Sequence, residues 1–190
     1  VHTHASAMAY ATRTVEARRL TAADRIAGMS PFHFDMSTLE LYSAPLALCA
    51  VVVVGEAHLR FPASFTSRSQ DERVSVWYSV PSFFRLVTER GALDQRDLSE
   101  LRLVVYAGEP YPVGALAEMA AAVPHAEIVN VYGPAELNEC TNHVVSAATL
   151  QGDDVPVGRP WHGVDLRVVD ELDDRFVDVV DGQPGELWVS

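Results

Sequence analysis

Apolar positions along the chain fall into two kinds of pattern, stretches with helical spacing and short runs of β-branched residues. Within residues 6–20, Met8, Ala11 and Val15 recur near helical spacing, which predicts a surface helix. Residues 51–54 are all valine, and a run of this kind predicts a buried strand. The first part of the chain therefore predicts a helix followed, further on, by a strand inside a sheet.

The same alternation continues to about residue 150. Further helices are predicted at 38–48, 81–90 and 113–123, and further strands at 74–78, 101–106 and 127–132. Strands that alternate with helices are typical of a parallel sheet with helices on both faces. We therefore expect an α/β subdomain over residues 1–150.

After residue 150 the pattern changes to short β-like runs separated by Asp, Gly and Pro. These runs lie at 165–169, 176–180 and 186–189. They predict the beginning of a β-rich subdomain over residues 151–190. Since the chain starts without Met and stops directly after a predicted strand, we expect both ends to be truncated.

Composition narrows the classes of function. The net charge of −12 opposes binding to nucleic acid or to an anionic membrane surface, so neither is expected as a partner. The longest apolar run, residues 44–54, has 11 residues, against the roughly 18 needed to cross a bilayer. The two cysteines, Cys49 and Cys140, are far apart in the sequence, which favours a reducing compartment, the cytoplasm.

All 14 basic residues are arginine, and the chain contains no lysine. This excludes from the chain a Schiff-base lysine, a pyridoxal phosphate lysine and a phosphate loop of the G-x-x-x-x-G-K-[ST] type. Any reaction that needs a lysine must take it from elsewhere.

A candidate ligand site follows the predicted strand 127–132. Residues 130–136 (NVYGPAE) turn at Gly-Pro beyond the end of that strand, where ligands of open α/β sheets bind. Tyr132 offers a flat face to a nucleobase, Asn130 can donate to and accept from a purine edge, and Glu136 can hold Mg²⁺. From these residues alone, a plain turn with a packed tyrosine stays an open interpretation, since short turn motifs are frequent by chance.

Four segments resemble, in order, motifs of the adenylate-forming superfamily, which includes nonribosomal peptide synthetase adenylation domains and acyl-CoA ligases. They are 34–37 (FDMS, similar to F-D-x-S), 106–109 (YAGE, similar to the (G/A)-G-E loop), 130–136 (similar to N-x-Y-G-P-T-E) and 185–189 (GELWV, similar to G-E-L-x-I). Residues 1–4 also resemble the segment that follows the lysine-containing phosphate loop of the family. On this basis the chain is identified as a central fragment of the N-terminal core of an amino-acid-activating member.

The resemblance implies a two-step reaction that uses ATP and Mg²⁺. The carboxylate of an amino acid attacks the α-phosphate of ATP to give an aminoacyl-adenylate and pyrophosphate, and a carrier-protein phosphopantetheine thiol then takes the aminoacyl group. Residues 137–143 resemble stand-alone ligases that load proline, β-amino acids and similar substrates onto carrier proteins. Because the phosphate loop and the catalytic lysine of the family have no counterpart here, we expect the fragment to be inactive alone.

The resemblance also implies roles for individual residues. Glu136 would be the catalytic metal ligand, and Asp35 would pair with the substrate ammonium. ATP would be held by Asn130, Tyr132, Gly133, Gly108 and Glu109. The amino-acid pocket would be lined by Met36, Leu39, Tyr78, Val105, Ala107, Val131, Glu139 and Cys140. At position 135 alanine stands where the family has threonine, whose hydroxyl would help to hold phosphate or metal.

Several alternatives stay open at this point. Asp35 also fits the N-cap of the predicted helix 38–48. Glu139 either faces the pocket, where it could pair with a second amine or a hydroxyl of the substrate, or lies in solvent. An acyl- or aryl-CoA ligase of the same superfamily and a non-catalytic binding subdomain remain alternative functions, although the carboxylate of Asp35 favours a substrate with an ammonium group.

Overall fold

A seven-stranded sheet lies at the centre of the computed structural model, which describes residues 3–172, 175–180 and 182–190. Its strands are β1 (Arg25–Gly28), β2 (Ala50–Val53), β3 (Val76–Ser79), β4 (Leu103–Tyr106), β5 (Glu127–Tyr132), β6 (Thr141–Val144) and β7 (Arg159–Pro160). Their order across the sheet is β2-β1-β3-β4-β5-β6-β7. The strands from β2 to β5 pair in parallel, whereas β6 and β7 are added antiparallel. Val1 and His2, part of the segment 1–4 discussed above, lie outside the described residues.

Helices alternate with the parallel strands, as the apolar pattern predicts. They are α1 (His4–Ala17), α2 (Ala44–Leu46), α3 (Glu56–Arg60), α4 (Pro62–Asp71), α5 (Pro81–Arg90) and α6 (Val113–Ala122). A π-helical segment (Leu39–Ser43) leads directly into α2, and together they form the helix predicted at 38–48. The sequence did not predict β1, β6, β7, α3 or α4. Among the described residues, no helix combines the length and the apolar character that crossing a bilayer requires.

Alternate residues of the central strands divide the core into two layers, because successive side chains of a strand point to opposite faces. One layer packs α4, α5 and α6 against the sheet and includes Phe65, Phe84, Leu116, Trp77, Val104 and Ile128. The other includes Leu20, Leu39, Ala44, Val76, Val105 and Val129, with Val15 of α1 packed against it. Burying a large apolar side chain stabilises a fold by about 1.5–3 kcal/mol. The predicted α/β class, with helices on both faces of the sheet, is confirmed.

The valine run forms an edge strand rather than a buried one. Val52 of β2 is buried against the core, but the Val53 side chain on the opposite face is 74% exposed. The prediction of a buried strand at 51–54 is therefore wrong for one of its faces. β-Branched residues favour strands in general, but a run of valines does not indicate whether other elements pack on both faces of the strand.

A separate three-stranded antiparallel sheet follows, with β8 (Leu166–Leu172), β9 (Arg175–Asp178) and β10 (Glu186–Val189) in the order β10-β8-β9. These strands correspond to the three β-like runs predicted after residue 150. The large sheet continues to Pro160 of β7, so it extends ten residues past the predicted division at 150/151. The division of the chain into two subdomains stays a prediction.

Candidate functional site

The loops that leave the parallel strands meet at one edge of the large sheet. Ser79 of β3 pairs with Tyr106 of β4, and Tyr106 pairs in turn with Asn130 of β5, so these strands end side by side. A cleft of about 730 Å³ lies between α1, the loop after β1 and the loop after β5. Ligands of open α/β sheets bind beyond the carboxyl ends of the strands, so this cleft is the candidate site.

Helix α1 forms one wall of the cleft. Its N-terminus is fixed by a capping box, in which the Ser6 N–H donates to Thr3 Oγ1 at 3.1 Å and the Thr3 N–H donates to Ser6 Oγ at 2.9 Å. Ala7 and Tyr10 then face the cleft. The buried positions Tyr10, Ala11 and Thr14 recur at helical spacing, so the predicted surface helix buries one complete face.

The loop after β1 carries Asp35. The buried Glu40 carboxylate holds the start of this loop, accepting hydrogen bonds from the Met29 and Ser30 N–H groups, both at 3.0 Å. Burial raises the pKa of Glu40, although these N–H donors oppose the shift. The loop closes where the Asp35 carbonyl accepts from the Thr38 N–H at 2.9 Å.

Asp35 is not the helix cap that its position would also allow. The N-cap of the π-helical segment is Thr38, and that cap has no side-chain hydrogen bond. Among the described residues, the hydrogen bonds at Asp35 use its backbone carbonyl, while the residue itself lines the cleft. The carboxylate of Asp35 therefore does not act as an N-cap, and the N-cap interpretation is wrong.

The loop after β5 folds back tightly on itself. The Cys140 N–H donates to the Tyr132 carbonyl at 2.8 Å, and a Cβ at Gly133 would lie 1.7 Å from the Asn138 carbonyl oxygen. Only glycine fits this close approach. The amide of Asn138 donates to Thr38 Oγ1 at 2.8 Å, which joins this loop to the loop of Asp35. No role was predicted for Asn138, because its hydrogen-bond partner Thr38 lies 100 positions away in the sequence.

Glu139 is buried and ion-paired. Its carboxylate accepts from Arg18 at 3.3 Å and from the Tyr10 hydroxyl at 3.3 Å, and both side chains of the ion pair are 4% exposed. Of the two orientations left open, Glu139 has the inward one, but an arginine of this chain already fills the place of a cationic partner. Arg18 and Tyr10 were missed, because α1 and Glu139 come together only in the fold.

Six of the predicted pocket residues pack together in the core, and none of the six is among the residues that line the cleft. Leu39, Tyr78, Val105 and Val131 are buried in one apolar cluster, and Met36 and Ala107 are partly buried against it. Burial, and then the neighbouring carboxylate of Glu139, raise the pKa of Tyr78 well above its usual value. Cys140 is also buried, and burial raises the pKa of its thiol, which suits a packed side chain better than a nucleophile.

The residues predicted to hold ATP lie at the ends of β4 and β5. Tyr132 is 40% exposed and so open to a flat ligand. Asn130 is buried, and its Nδ2 donates to the Pro156 carbonyl at 2.9 Å. Gly108 has φ +88°, a conformation that favours glycine, and Glu109 accepts hydrogen bonds from the Ser82 N–H and hydroxyl. Any contact of Glu109 with adenine would therefore use its backbone.

Glu136 lies exposed on the cleft, in the same loop as Glu139. Among the described residues, no group of three or more His, Cys, Asp or Glu side chains is arranged to hold a metal ion. Mg²⁺ in nucleotide enzymes is usually held by one or two carboxylates together with the substrate phosphates. An exposed carboxylate at the mouth of a nucleotide-sized cleft fits that donor set.

Comparison with known proteins points to one family. The family model described as AMP-binding enzyme matches residues 1–190. An L-proline–[L-prolyl-carrier protein] ligase of Streptomyces coelicolor is 36% identical over 169 residues, which cover 88% of this chain and 31% of the relative. The chain thus spans about a third of the length of that ligase.

Two solved structures have the same fold as this chain. The Vibrio cholerae adenylation domain AlmE, in complex with glycyl-adenosine-5'-phosphate, is 26% identical with a TM-score of 0.83, over 96% of this chain and 34% of its own. IdnL1 is 25% identical with a TM-score of 0.87, over 99% of this chain and 38% of its own.

Proposed function

Because the chain belongs to the AMP-binding enzyme family, we propose that the protein containing it activates an amino acid with ATP and loads it onto a carrier protein. One observation carries this proposal: a single cleft presents the carboxylate of Asp35 and the exposed carboxylate of Glu136 at the ends of the parallel strands. The relatives that are carrier-protein ligases support the same reaction. Nonribosomal peptide synthesis is one process that uses this reaction.

In the first step, a carboxylate oxygen of the amino acid attacks the α-phosphorus of ATP and the bond to pyrophosphate breaks. Asp35 pairs with the substrate ammonium, a charge-assisted hydrogen bond that also orients the attacking carboxylate. The exposed face of Tyr132 stacks on adenine. Asn130, Gly133 and the backbone of Gly108 and Glu109 border the adenine. The apolar cluster around Leu39 and Val105 borders the substrate side chain.

In the second step, the phosphopantetheine thiol of the carrier protein attacks the carbonyl carbon and AMP leaves. The chain contains no lysine, so a lysine that assists either step comes from another part of the parent protein. We place residues 1–150 and 151–190 in separate subdomains of that protein. Both cysteines are free thiols, which supports a reducing compartment such as the cytoplasm.

Glu136 is the residue that would hold Mg²⁺. When bound, the ion would offset the negative charge of the phosphates that the substrate carboxylate approaches. Replacing Glu136 by Gln keeps the size of the side chain and removes its charge. We expect the Mg²⁺ concentration for half-maximal activity of the full-length protein to rise roughly tenfold. Titration of amino-acid-dependent pyrophosphate–ATP exchange with Mg²⁺ measures this.

Glu118→Gln is the matched control for that experiment, because Glu118 is exposed on α6 and does not line the cleft. It should leave the Mg²⁺ requirement unchanged. If Glu136→Gln also leaves the Mg²⁺ requirement unchanged, Glu136 does not hold the metal.

The reaction itself is tested by exchange of labelled pyrophosphate into ATP by the full-length protein, with α-amino, β-amino, aryl and fatty acids as substrates. We expect exchange with amino acids. In a second assay, we expect a labelled amino acid to be transferred to a phosphopantetheinylated carrier protein. Exchange only with acids that lack an amine, and transfer to coenzyme A, would assign the protein to the acyl- or aryl-CoA ligases instead.

A further inference from the structure

The cleft is lined by the carboxylates of Asp35, Glu136 and Glu139, and the surroundings of Asp35 and Glu139 differ. Asp35 is half-buried, and within the described ranges no ion pair engages its carboxylate. Glu139 is buried and paired with Arg18 at 3.3 Å. The charge of Asp35 is therefore open to a cationic group of a ligand, whereas an equal and opposite charge already faces Glu139.

Among the described residues, the groups that hydrogen-bond to the carboxylate and the carbonyl of Glu139 are donors. Besides Arg18, the Tyr10 hydroxyl donates to Oε1 at 3.3 Å, and Arg13 donates to the backbone carbonyl of Glu139 at 2.8 Å. Burial and the charge of Glu139 both raise the pKa of Tyr10 and of Tyr78, so these phenols stay protonated. A carboxylate with these donors has little to gain from one more.

Arg18 is itself fixed in place. It caps the C-terminus of α1, and its guanidinium packs over the Trp161 ring at 5.0 Å, with Arg13 on the same ring at 5.1 Å. Its side chain is 4% exposed, so it cannot turn into solvent without opening this packing. The guanidinium thus lies behind Glu139 and does not itself line the cleft.

At Glu139, an ammonium group on the substrate side chain would lose hydration without gaining an unpaired carboxylate. It would instead meet a neutral ion pair and the nearby charge of Arg13. We propose that Arg18 determines the substrate class, an inference that rests on the proposed function. By neutralising the charge of Glu139, Arg18 restricts the cleft to amino acids whose side chain carries no positive charge. Arg18 acts through Glu139 and is therefore a positioning residue.

The test compares matched substrates that differ by one amine, norvaline with ornithine and 2-aminobutyrate with 2,4-diaminobutyrate. In pyrophosphate–ATP exchange, the full-length wild-type protein should prefer the neutral member of each pair by roughly 100-fold or more in kcat/KM. In Arg18→Met, the carboxylate of Glu139 loses its ion-pair partner, and a substrate ammonium can take that place. The ratio should therefore move by at least about tenfold toward the diamino acid.

Two further variants separate this effect from damage to the fold. Arg18→Lys keeps the charge and should keep the wild-type preference, and adding Glu139→Gln to Arg18→Met should abolish the gain with diamino acids. Arg19→Met is the matched control, because Arg19 is adjacent but 72% exposed and paired with Glu127.

The outcomes keep the two proposals apart. If no amino acid supports exchange, the proposed function fails. If amino acids support exchange but the wild type uses diamino acids within tenfold of their neutral counterparts, only the role of Arg18 is overturned, and this holds even if Arg18→Met does not fold. An equal loss on all substrates in a folded Arg18→Met also overturns it.

Discussion

Replacing Asp35 by Ala in the full-length protein should lower kcat/KM for the amino acid by at least about 100-fold and leave activation of the des-amino analogue unchanged. The reason is that the analogue has no ammonium group for the carboxylate of Asp35 to bind. The loop should survive the substitution, because the backbone carbonyl of Asp35, not its side chain, accepts from Thr38 and Asn138. Pyrophosphate–ATP exchange with both substrates measures the two effects.

Asp35→Asn and Asp71→Ala are the controls for this prediction. The asparagine variant keeps the shape of the side chain without its charge and should show the same selective loss. Asp71 is exposed at the end of α4, so its removal should change neither activity. Equal losses with the amino acid and with its analogue in Asp35→Ala would refute the ammonium-binding role.

Replacing Asp24 by Ala should destabilise the protein by about 2–3 kcal/mol, the largest effect on stability that we expect from a single polar residue here. Asp24 is buried and accepts from Arg102 at 2.8 Å through each of its two oxygens, from Ser75 Oγ at 2.7 Å and from the Thr21 N–H at 2.9 Å. It thus ties together the entry to β1 and the residues before β3 and β4. The alanine variant leaves these donors without their acceptor. Chemical denaturation measures the difference.

The contribution of Asp24 should also depend on pH. Burial alone would raise the pKa of Asp24, but the hydrogen bonds from Arg102, Ser75 and Thr21 outweigh it and lower the pKa below its usual value. A lowered pKa in the folded state stabilises the fold above the unfolded pKa of about 3.9, and this stabilisation is lost as the pH falls through the folded pKa. The stability difference between wild type and Asp24→Asn should therefore shrink below about pH 4.

Glu100→Ala provides the comparison for Asp24→Ala. Glu100 pairs with Arg73 on the surface, where both side chains are more than half exposed. Such pairs contribute little, so we expect a loss within about 0.5 kcal/mol. A similar loss in Asp24→Ala would show that the buried network does not hold these strands together.

Much of the fold could be predicted because its signals are local. The predicted helix at 81–90 and the predicted strand at 127–132 have the same bounds in the structure, since proline opens the helix and a run of apolar, β-branched residues forms the strand. β1 was missed because a four-residue strand that starts with arginine carries too little periodic signal. β6 was missed as well, and its antiparallel direction depends on how the tight loop at Gly133 turns the chain.

The sequence by itself determined the α/β class, the motif that contains Asp35, and the position of Tyr132 and Glu136 at the end of a strand, because each depends on residues close together in the chain. Only the tertiary structure decided the orientation of Glu139 and its pairing with Arg18, which lies 121 positions away. It alone also brought Asp24 to Arg102, across 78 positions. A buried charge is tolerated only next to a partner, and a partner supplied by another element leaves no local pattern in a single sequence.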